Sequence, residues 1–236
     1  MEIKTNAWNR YVGKIWAKIF SYYGIRKNGV LIEIAPGNSN KIGYALSLHN
    51  FEGTLYIIDP NPKALTSITK KYKKSLKNAK IIPIKRNLYE SLPLLPKKVH
   101  AIISNHPLDD MILGKILDNS SFIKYFGSDY GSSSEKTKKL WQEIEADPKK
   151  LKKIKLEVVN EWNNLIKHTN PDIVIISQYE SFFFKRNKIY APDKHAFEVL
   201  KKIKNKCGGS KLPVKIAGTQ IKNREKWLVI DKRSNR

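Results

Sequence analysis

The sequence is poor in cysteine, in long apolar runs and in acidic residues, and each shortage excludes a class of protein. Cys207 is the single cysteine among 236 residues, so a disulfide framework and a cysteine-based zinc site are excluded. No apolar run approaches the roughly 18 residues of a membrane-spanning helix. The first ten residues, MEIKTNAWNR, lack the apolar core of a secretory signal. We therefore expect a reduced, cytoplasmic protein that has no metal site and no membrane partner.

The shortage of acidic residues leaves a strongly positive chain. Lysine and arginine number 45 and aspartate and glutamate 21, for a formal charge of +24. Such a field favours polyanions, namely RNA, DNA or an anionic membrane surface. Codon bias in an A+T-rich genome is the alternative explanation, because 38 of the basic residues are lysine and 7 are arginine. Lysine acts mainly as a point charge, so phosphate and shape contacts are expected rather than base readout.

Short apolar runs alternate with amphipathic segments along most of the chain, a pattern typical of strands joined by helices. Strands are predicted at 30–34, 54–58, 81–84, 99–104 and 172–177, and a terminal β-hairpin at 214–219 and 226–231. In the third predicted helix, apolar residues recur at helical spacing at Leu65, Ile68, Tyr72 and Leu76. The predicted fold class is α/β, with a doubly wound, mainly parallel seven-stranded sheet that closes in a C-terminal antiparallel hairpin.

One domain is expected to span residues 1–236, with an N-terminal helix within 1–28. The segment 114–170 interrupts the alternation with a stretch rich in serine, glycine and aromatic residues, followed by two predicted helices. We interpret this segment as a helical insertion over the active edge of the sheet. An ordinary crossover helix is the alternative. Asp193 is expected to cap the last helix, which Gly208 and Gly209 would end.

The loop after the first strand carries the strongest functional signal. Glu33 lies at the end of that strand, the loop 35–39 consists of small residues, and Asp59 follows the second strand. Ligands of parallel sheets bind beyond the carboxyl ends of the strands, and an acid about twenty residues after the loop suits the two hydroxyls of a ribose. A dinucleotide-binding fold is the alternative, but its G-x-G-x-x-G positions hold Ala35, Gly37 and Asn40 here.

These residues resemble the motifs of class I S-adenosylmethionine-dependent methyltransferases. The run Glu33-Ile34-Ala35-Pro36-Gly37-Asn38-Ser39 is similar to the family's E-I-G-P-G-x-G, with two glycines replaced by alanine and serine. Asp59 matches the acid after the second strand, and Asn87 stands where the family often has an acid or amide after the third. The resemblance spans roughly residues 28–110 and implies S-adenosylmethionine as cofactor.

By the same resemblance, Glu33 would lie near the methionine end of the cofactor, Asp59 would hold the ribose, and Asn87 and Leu88 would flank the adenine. The remaining cofactor contacts that the resemblance implies come from Ala35, Pro36, Gly37, Asn38, Ser39, Pro60 and Ser104.

The segment after the fourth strand supplies the candidate catalytic residues. Asn105-His106-Pro107-Leu108 partly resembles the D/N-P-P-Y/F motif of amino-methylating relatives, in which the polar residue binds the target amine. The candidates are Asn105, His106 as a general base, and Asp109. In the alternative reading, Asp109 and Asp110 only begin the next helix, where aspartate is common.

Two basic clusters are candidate nucleic-acid contacts, and the aromatic run 182–184 beside the second could stack bases or pack in the core. They comprise Lys70, Lys71, Lys73, Lys74, Lys185 and Arg186. The expected function is methyl transfer to RNA, either tRNA or rRNA. Two alternatives stay open: transfer of a methyl or aminocarboxypropyl group to a small amine-bearing molecule, and a catalytically silent RNA-binding protein of the same fold.

Overall fold

A computed structural model of the protein describes residues 2–118, 120–122, 125, 134–213, 216 and 226–233. Its helices are α1 (Glu2–Tyr22), α2 (Lys41–Leu48), α3 (Pro62–Ser75), α4 (Leu88–Ser91), α5 (Leu108–Ile116), α6 (Ser134–Glu145), α7 (Pro148–Thr169), α8 (Phe182–Arg186) and α9 (Ala191–Cys207). Its strands are β1 (Val30–Ile34), β2 (Thr54–Ile58), β3 (Lys80–Ile84), β4 (Ala101–Asn105), β5 (Ile173–Ser177) and β6 (Trp227–Asp231).

The strands form one mainly parallel sheet in the order β3-β2-β1-β4-β5-β6. The first five are parallel, and β6 runs antiparallel to β5. The predicted α/β class and the antiparallel closure at 226–231 are thereby confirmed, and Pro83 lies on an edge strand, where its missing N–H costs no hydrogen bond. The other predicted hairpin strand, 214–219, falls outside the described residues except for Ile216.

Helices cover both faces of the sheet, as the doubly wound prediction requires. On one face α1, α2 and α3 bury their apolar stripes against Leu31 and its neighbours, and the predicted inward positions of α3 are all buried. On the other face α5, α6, α7 and α9 pack against Ile32 and Ile34. Successive strand residues point to opposite faces, so β1 contributes to both layers of the core.

Helix α7 packs on the sheet in the manner of a crossover helix, with Val158 and Trp162 fully buried. Phe122, from the segment before α6, lines the cavity at the active edge. Most of that segment lies outside the described residues, so an insertion over the active edge stays a prediction.

Helix α1 begins at Glu2 and buries Val12, Trp16 and Phe20. The sequence pattern places Tyr11 on the same buried stripe, yet its side chain is 59% exposed and stacks on Trp8 with ring centroids 5.7 Å apart. Val12 takes the core position instead, which leaves two aromatic rings free to face the cavity described below.

The start of α9 differs from the prediction. Tyr190 is the N-cap, because Pro192 begins the helix earlier than the sequence pattern indicates. Asp193 therefore lies within the first turn, where its two carboxylate oxygens accept the Ser181 N–H, each at 3.2 Å. The predicted end is confirmed, since Gly208 adopts φ 72°.

In the part of the chain that the structure describes, no helix combines the length and the apolar character that crossing a membrane requires.

Candidate functional site

A cavity of about 1400 Å³ opens where the carboxyl ends of the parallel strands meet. The predicted cofactor residues that line it are Ala35, Pro36, Gly37, Asn38, Ser39, Asp59, Pro60, Asn87 and Leu88. The structure thus brings together the loops after β1, β2 and β3, which are far apart in sequence. Asn105, His106 and Asp109, the predicted catalytic residues, line the same cavity.

The loop 35–39 keeps two left-handed residues although Ala35 and Ser39 replace two of the motif's glycines. Ala35 adopts φ 50° and Gly37 φ 58°. The left-handed region costs an L-residue such as Ala35 about 1–2 kcal/mol, and the Ala35 N–H donates to the Ile58 carbonyl at 2.8 Å. A Cβ added at Gly37 would meet nothing within 4 Å, so the backbone there borders open space.

Asp59 fixes this loop from the neighbouring strand. Its Oδ2 accepts the Gly37 N–H at 3.1 Å, and its Oδ1 accepts the Asn61 N–H at 2.9 Å. Burial raises the pKa of Asp59 to about 6, although the bonds from Asn61 and Gly37 lower it. Each carboxylate oxygen can accept a further hydrogen bond, so Asp59 can both shape the loop and bind hydroxyl donors in the cavity.

Glu33 and Ser104 lie behind the cavity wall and not in it. Alternation along β1 turns Glu33 toward α3, where the Tyr72 hydroxyl donates to its Oε1 at 3.0 Å. Gly43 permits this close approach, because an added Cβ would lie 2.2 Å from the Tyr72 ring. The Ser104 hydroxyl donates to the Ile34 carbonyl at 2.6 Å. Both side chains hold the scaffold together, and the cofactor contacts implied for them are corrected accordingly.

Asn87 and Leu88 line the cavity after β3. Asn87 caps α4 by accepting the Glu90 N–H at 2.9 Å, and Leu88 is buried. Asn87 and Leu88 are thus neighbours at the cavity, and their contact with adenine stays a prediction.

The amide of Asn105 is already engaged by its neighbours. Its Oδ1 accepts from Trp16 Nε1 at 3.0 Å and from the Ser177 hydroxyl at 3.1 Å. Its Nδ2 donates to the Tyr179 hydroxyl at 3.2 Å. Indole nitrogen only donates, which fixes the orientation of this amide. The carbonyl that would receive a target amine is therefore occupied, and Asn105 instead positions Tyr179.

His106 and Asp109 form a buried ion pair. His106 Nδ1 lies 3.2 Å from Asp109 Oδ1, and Gln178 Nε2 donates to the same oxygen at 3.1 Å. Burial lowers the pKa of His106, but the charge of Asp109 and its hydrogen bond outweigh burial and raise that pKa to about 10. A protonated imidazole has no lone pair for a proton, so the raised pKa does not favour the predicted role of His106 as a general base.

The two acids after β4 lie in the first turn of α5, where the alternative reading places them. The charge of His106 and the hydrogen bonds from His106 and Gln178 hold the pKa of Asp109 below its usual range, although burial would raise it. The pKa of Asp110 lies well above its usual range because of burial and the neighbouring charge of Asp109. Asp109 thus favours the charged form of His106.

Three cavity residues escaped the sequence-based prediction of the site. The Lys41 ammonium donates to the Tyr179 hydroxyl at 2.6 Å, and the rings of Trp8 and His106 lie 6.2 Å and 4.6 Å from the Tyr179 ring. Three signals were available. Lys41 starts the helix after the loop, and Trp8 lies one helical turn before Val12. Tyr179 lies two residues after the fifth strand, at the edge where ligands bind.

No protein-family model matches the sequence, and no curated protein matches it significantly. Solved structures do resemble it. The small RNA methyltransferase HEN1 superposes with a TM-score of 0.51 at 9% identity, over 94% of this chain and 26% of that one. The protein PH0851 gives a TM-score of 0.51 at 10% identity, over 95% of this chain and 45% of that one. The chain therefore spans less than half of either structure.

The protein has a Rossmann-like α/β fold similar to that of HEN1. The sheet order, the antiparallel final strand and the cavity at the strand ends agree with that assignment.

On this fold, the predicted nucleic-acid contacts form exposed patches. Lys70, Lys71, Lys73 and Lys74 are all exposed on α3. The Lys71 ammonium donates to the Asn38 carbonyl at 2.9 Å, which links the basic face of α3 to the cavity loop.

The second patch lies on α8. Lys185 lines the cavity, whereas Arg186 is exposed but does not line it. The aromatic run beside them divides, since Phe182 is 78% exposed and Phe184 is buried. Phe184 thus packs in the core, and base stacking by Phe182 stays a prediction.

No group of three or more histidine, cysteine, aspartate or glutamate side chains able to hold a metal occurs among the residues that the structure describes.

Proposed function

We propose that the protein is an S-adenosylmethionine-dependent methyltransferase. The observation that carries the proposal is the bond between Asp59 and Gly37, which ties an acid after β2 to the small-residue loop after β1. This arrangement offers a carboxylate for ribose hydroxyls and an exposed backbone for the rest of the cofactor. HEN1, a methyltransferase by name, shares the fold.

The described residues fit such a cofactor at three points. Asp59 would accept hydrogen bonds from the ribose, Asn87 and Leu88 would flank the adenine, and the loop at Gly37 would border the methionine part. A cavity of about 1400 Å³ exceeds the roughly 300–1000 Å³ of most small-molecule sites, which leaves room for an acceptor beside the cofactor. When bound, the cofactor would supply a methyl group on a sulfonium sulfur. Once that methyl group is transferred, the rest of the cofactor leaves as a neutral thioether.

The residues of the chain contribute mainly position and exclusion of water. Methyl transfer depends on alignment of the acceptor with the methyl group, and proximity alone can supply a large part of the rate enhancement. Ala35 adopts the left-handed conformation that a glycine would take at its position, which favours a working cofactor site over a silent one.

RNA is the proposed acceptor. The exposed lysines of α3 are tied to the cavity loop through Lys71 and Asn38, and Lys185 and the exposed Phe182 lie at the cavity itself. Phosphate contacts from lysine and base stacking on aromatic rings are the ordinary means of holding a nucleic-acid strand. A cytoplasmic location stays a prediction of the sequence.

The reaction is tested with S-adenosylmethionine labelled on the methyl group or on the carboxyl carbon. Each form is incubated with total cellular RNA, DNA and a small-molecule extract. We expect methyl label in RNA alone, and loss of that label in Asp59→Asn. Transfer of the carboxyl label would instead show aminocarboxypropyl transfer, and transfer of neither label would show a binding protein without this activity.

A further inference from the structure

The hydroxyl of Tyr179 is surrounded by hydrogen-bond donors. Lys41 Nζ donates to it at 2.6 Å, and Asn105 Nδ2 donates to it at 3.2 Å. An ammonium group has no acceptor atom, and the orientation of Asn105 is fixed by Trp16, so neither neighbour can take the tyrosine proton. Among the described residues, none accepts a hydrogen bond from Tyr179. Two donors and no acceptor are the environment of a phenolate oxygen.

The charges around Tyr179 favour the same state. Lys41 approaches from α2, and the His106 imidazole from the loop after β4 packs on the ring at 4.6 Å between centroids. The acids Asp109 and Asp110 lie beyond His106 on α5, and Glu180 is paired with Lys226 at 3.0 Å. Burial raises the pKa of Tyr179, but Lys41 and His106 outweigh it, so the pKa lies below its ordinary value.

The ion pair of His106 and Asp109 has no role in the proposed cofactor site. Its position beside Tyr179 gives it one. A charged imidazole beside the ring stabilises negative charge on the Tyr179 oxygen, and Asp109 keeps that imidazole charged. Tyr179 itself lines the cavity in which the acceptor would bind.

We propose that Tyr179 is the general base of this site and that the acceptor is a hydroxyl group. In the step, the acceptor oxygen forms a bond to the methyl carbon, the carbon–sulfur bond breaks and its electron pair stays on sulfur. The hydroxyl proton passes to the Tyr179 oxygen, from which water removes it later. An amine acceptor is already nucleophilic and needs no such base, whereas a hydroxyl does. The hydroxyl acceptor rests on the proposed function, whereas the ionisation of Tyr179 does not depend on it.

Ultraviolet titration of the tyrosinate tests the ionisation without any substrate or cofactor. The difference between the titration curves of wild type and Tyr179→Phe gives the signal of Tyr179 alone. The control Tyr190→Phe removes an exposed hydroxyl outside the cavity and shows the signal of an ordinary tyrosine. We expect the Tyr179 signal to titrate below the ordinary value of about 10, and to move upward in Lys41→Met. A signal at or above the ordinary value in wild type would overturn the proposal.

The catalytic role is tested by separating binding from turnover. Tyr179→Phe should bind S-adenosylhomocysteine as wild type does. Its rate of methyl transfer from labelled S-adenosylmethionine to RNA should fall by roughly 10²–10⁴-fold, the usual contribution of a general base. Unchanged turnover would overturn the role. Failure of wild type to bind S-adenosylhomocysteine would overturn the proposed function, and the titration result would stand independently of it.

The acceptor class is tested by the position of the label in RNA. Alkaline hydrolysis cleaves RNA only next to a free 2′-hydroxyl, so label on a ribose oxygen stays in dinucleotides, and label on a base appears in mononucleotides. We expect the label in dinucleotides. Label in mononucleotides would overturn the hydroxyl acceptor.

Discussion

Glu33 is a buried carboxyl whose Oε2 has no hydrogen-bond partner among the described residues. Burial raises its pKa from 4.5 to about 8, although the hydrogen bond from Tyr72 opposes the rise. The folded protein therefore holds a proton on Glu33 at neutral pH that the unfolded chain releases. Between pH 4.5 and 8 the folded state binds more protons, so the contribution of this group to stability falls as the pH rises.

Replacement of Glu33 by glutamine removes this dependence. A glutamine side chain keeps the shape and the acceptor for Tyr72 but cannot ionise. Relative to Glu33→Gln, the free energy of unfolding of wild type should fall by about 1.4 kcal/mol per pH unit from roughly pH 5 to 8. Urea unfolding across that range measures the difference. The exposed Glu143→Gln serves as control, and parallel curves for wild type and Glu33→Gln would contradict the burial argument.

Residue roles were predictable from the sequence only where they depend on local neighbours. The loop glycine and Asp59 follow from strand ends and spacing, and both line the cavity. The partners of Glu33 and Asn105 come from distant elements, namely Tyr72 on α3 and Trp16 on α1. Periodicity shows that such side chains are buried but not which side chains meet. The predictions for Glu33 and Asn105 therefore missed their bonds to Tyr72 and Trp16.

At the scale of elements, α3 combines two functions on opposite faces. Its apolar stripe covers the sheet, and its outer face carries the four lysines of the proposed RNA contact. Each lysine–phosphate contact releases counterions, so its removal should flatten the log–log dependence of affinity on salt by about 0.7–0.9 and weaken all sequences alike.

Replacement of Lys70, Lys71, Lys73 and Lys74 by serine together tests this face. RNA binding measured across salt concentrations should weaken and lose slope. A charge-matched control replaces four exposed lysines of α7, Lys149, Lys150, Lys152 and Lys153, on the other face of the sheet. Equal losses in both variants would show a general effect of charge, and an affinity that does not vary with salt would show that the lysines do not contact phosphate.

Element boundaries were predictable where caps are local, and less so where a helix continues under tertiary contact. Asn61 and Asp147 begin α3 and α7 through side-chain caps, as serine- or aspartate-like caps usually do. Helix α1 lies within the predicted range 1–28, and Trp8 near its start reaches the Tyr179 ring. The contact of Trp8 depends on the loop after β5, which lies far away in sequence. The periodicity of α1 alone could not predict it.

At the scale of the whole molecule, the parallel sheet is what makes a site from residues that are distant in sequence. The carboxyl ends of β1, β2, β4 and β5 meet at one edge, so the cofactor loop, Asp59 and the Tyr179 cluster surround a single cavity. This convergence was predictable from strand alternation alone, because parallel strands with right-handed crossovers place their ends together.

Calorimetry with S-adenosylhomocysteine tests the central claim most directly. Wild type should bind it, and Asp59→Asn should bind it roughly 10- to 150-fold more weakly, because a hydrogen bond to a charged group is worth about 1.5–3 kcal/mol. Wild-type affinity should also fall as the pH drops below about 6, where Asp59 takes up a proton. The control Glu52→Gln, before the opposite end of β2, should bind as wild type does. Absence of binding to wild type up to millimolar ligand, or equal binding to Asp59→Asn, would contradict the account.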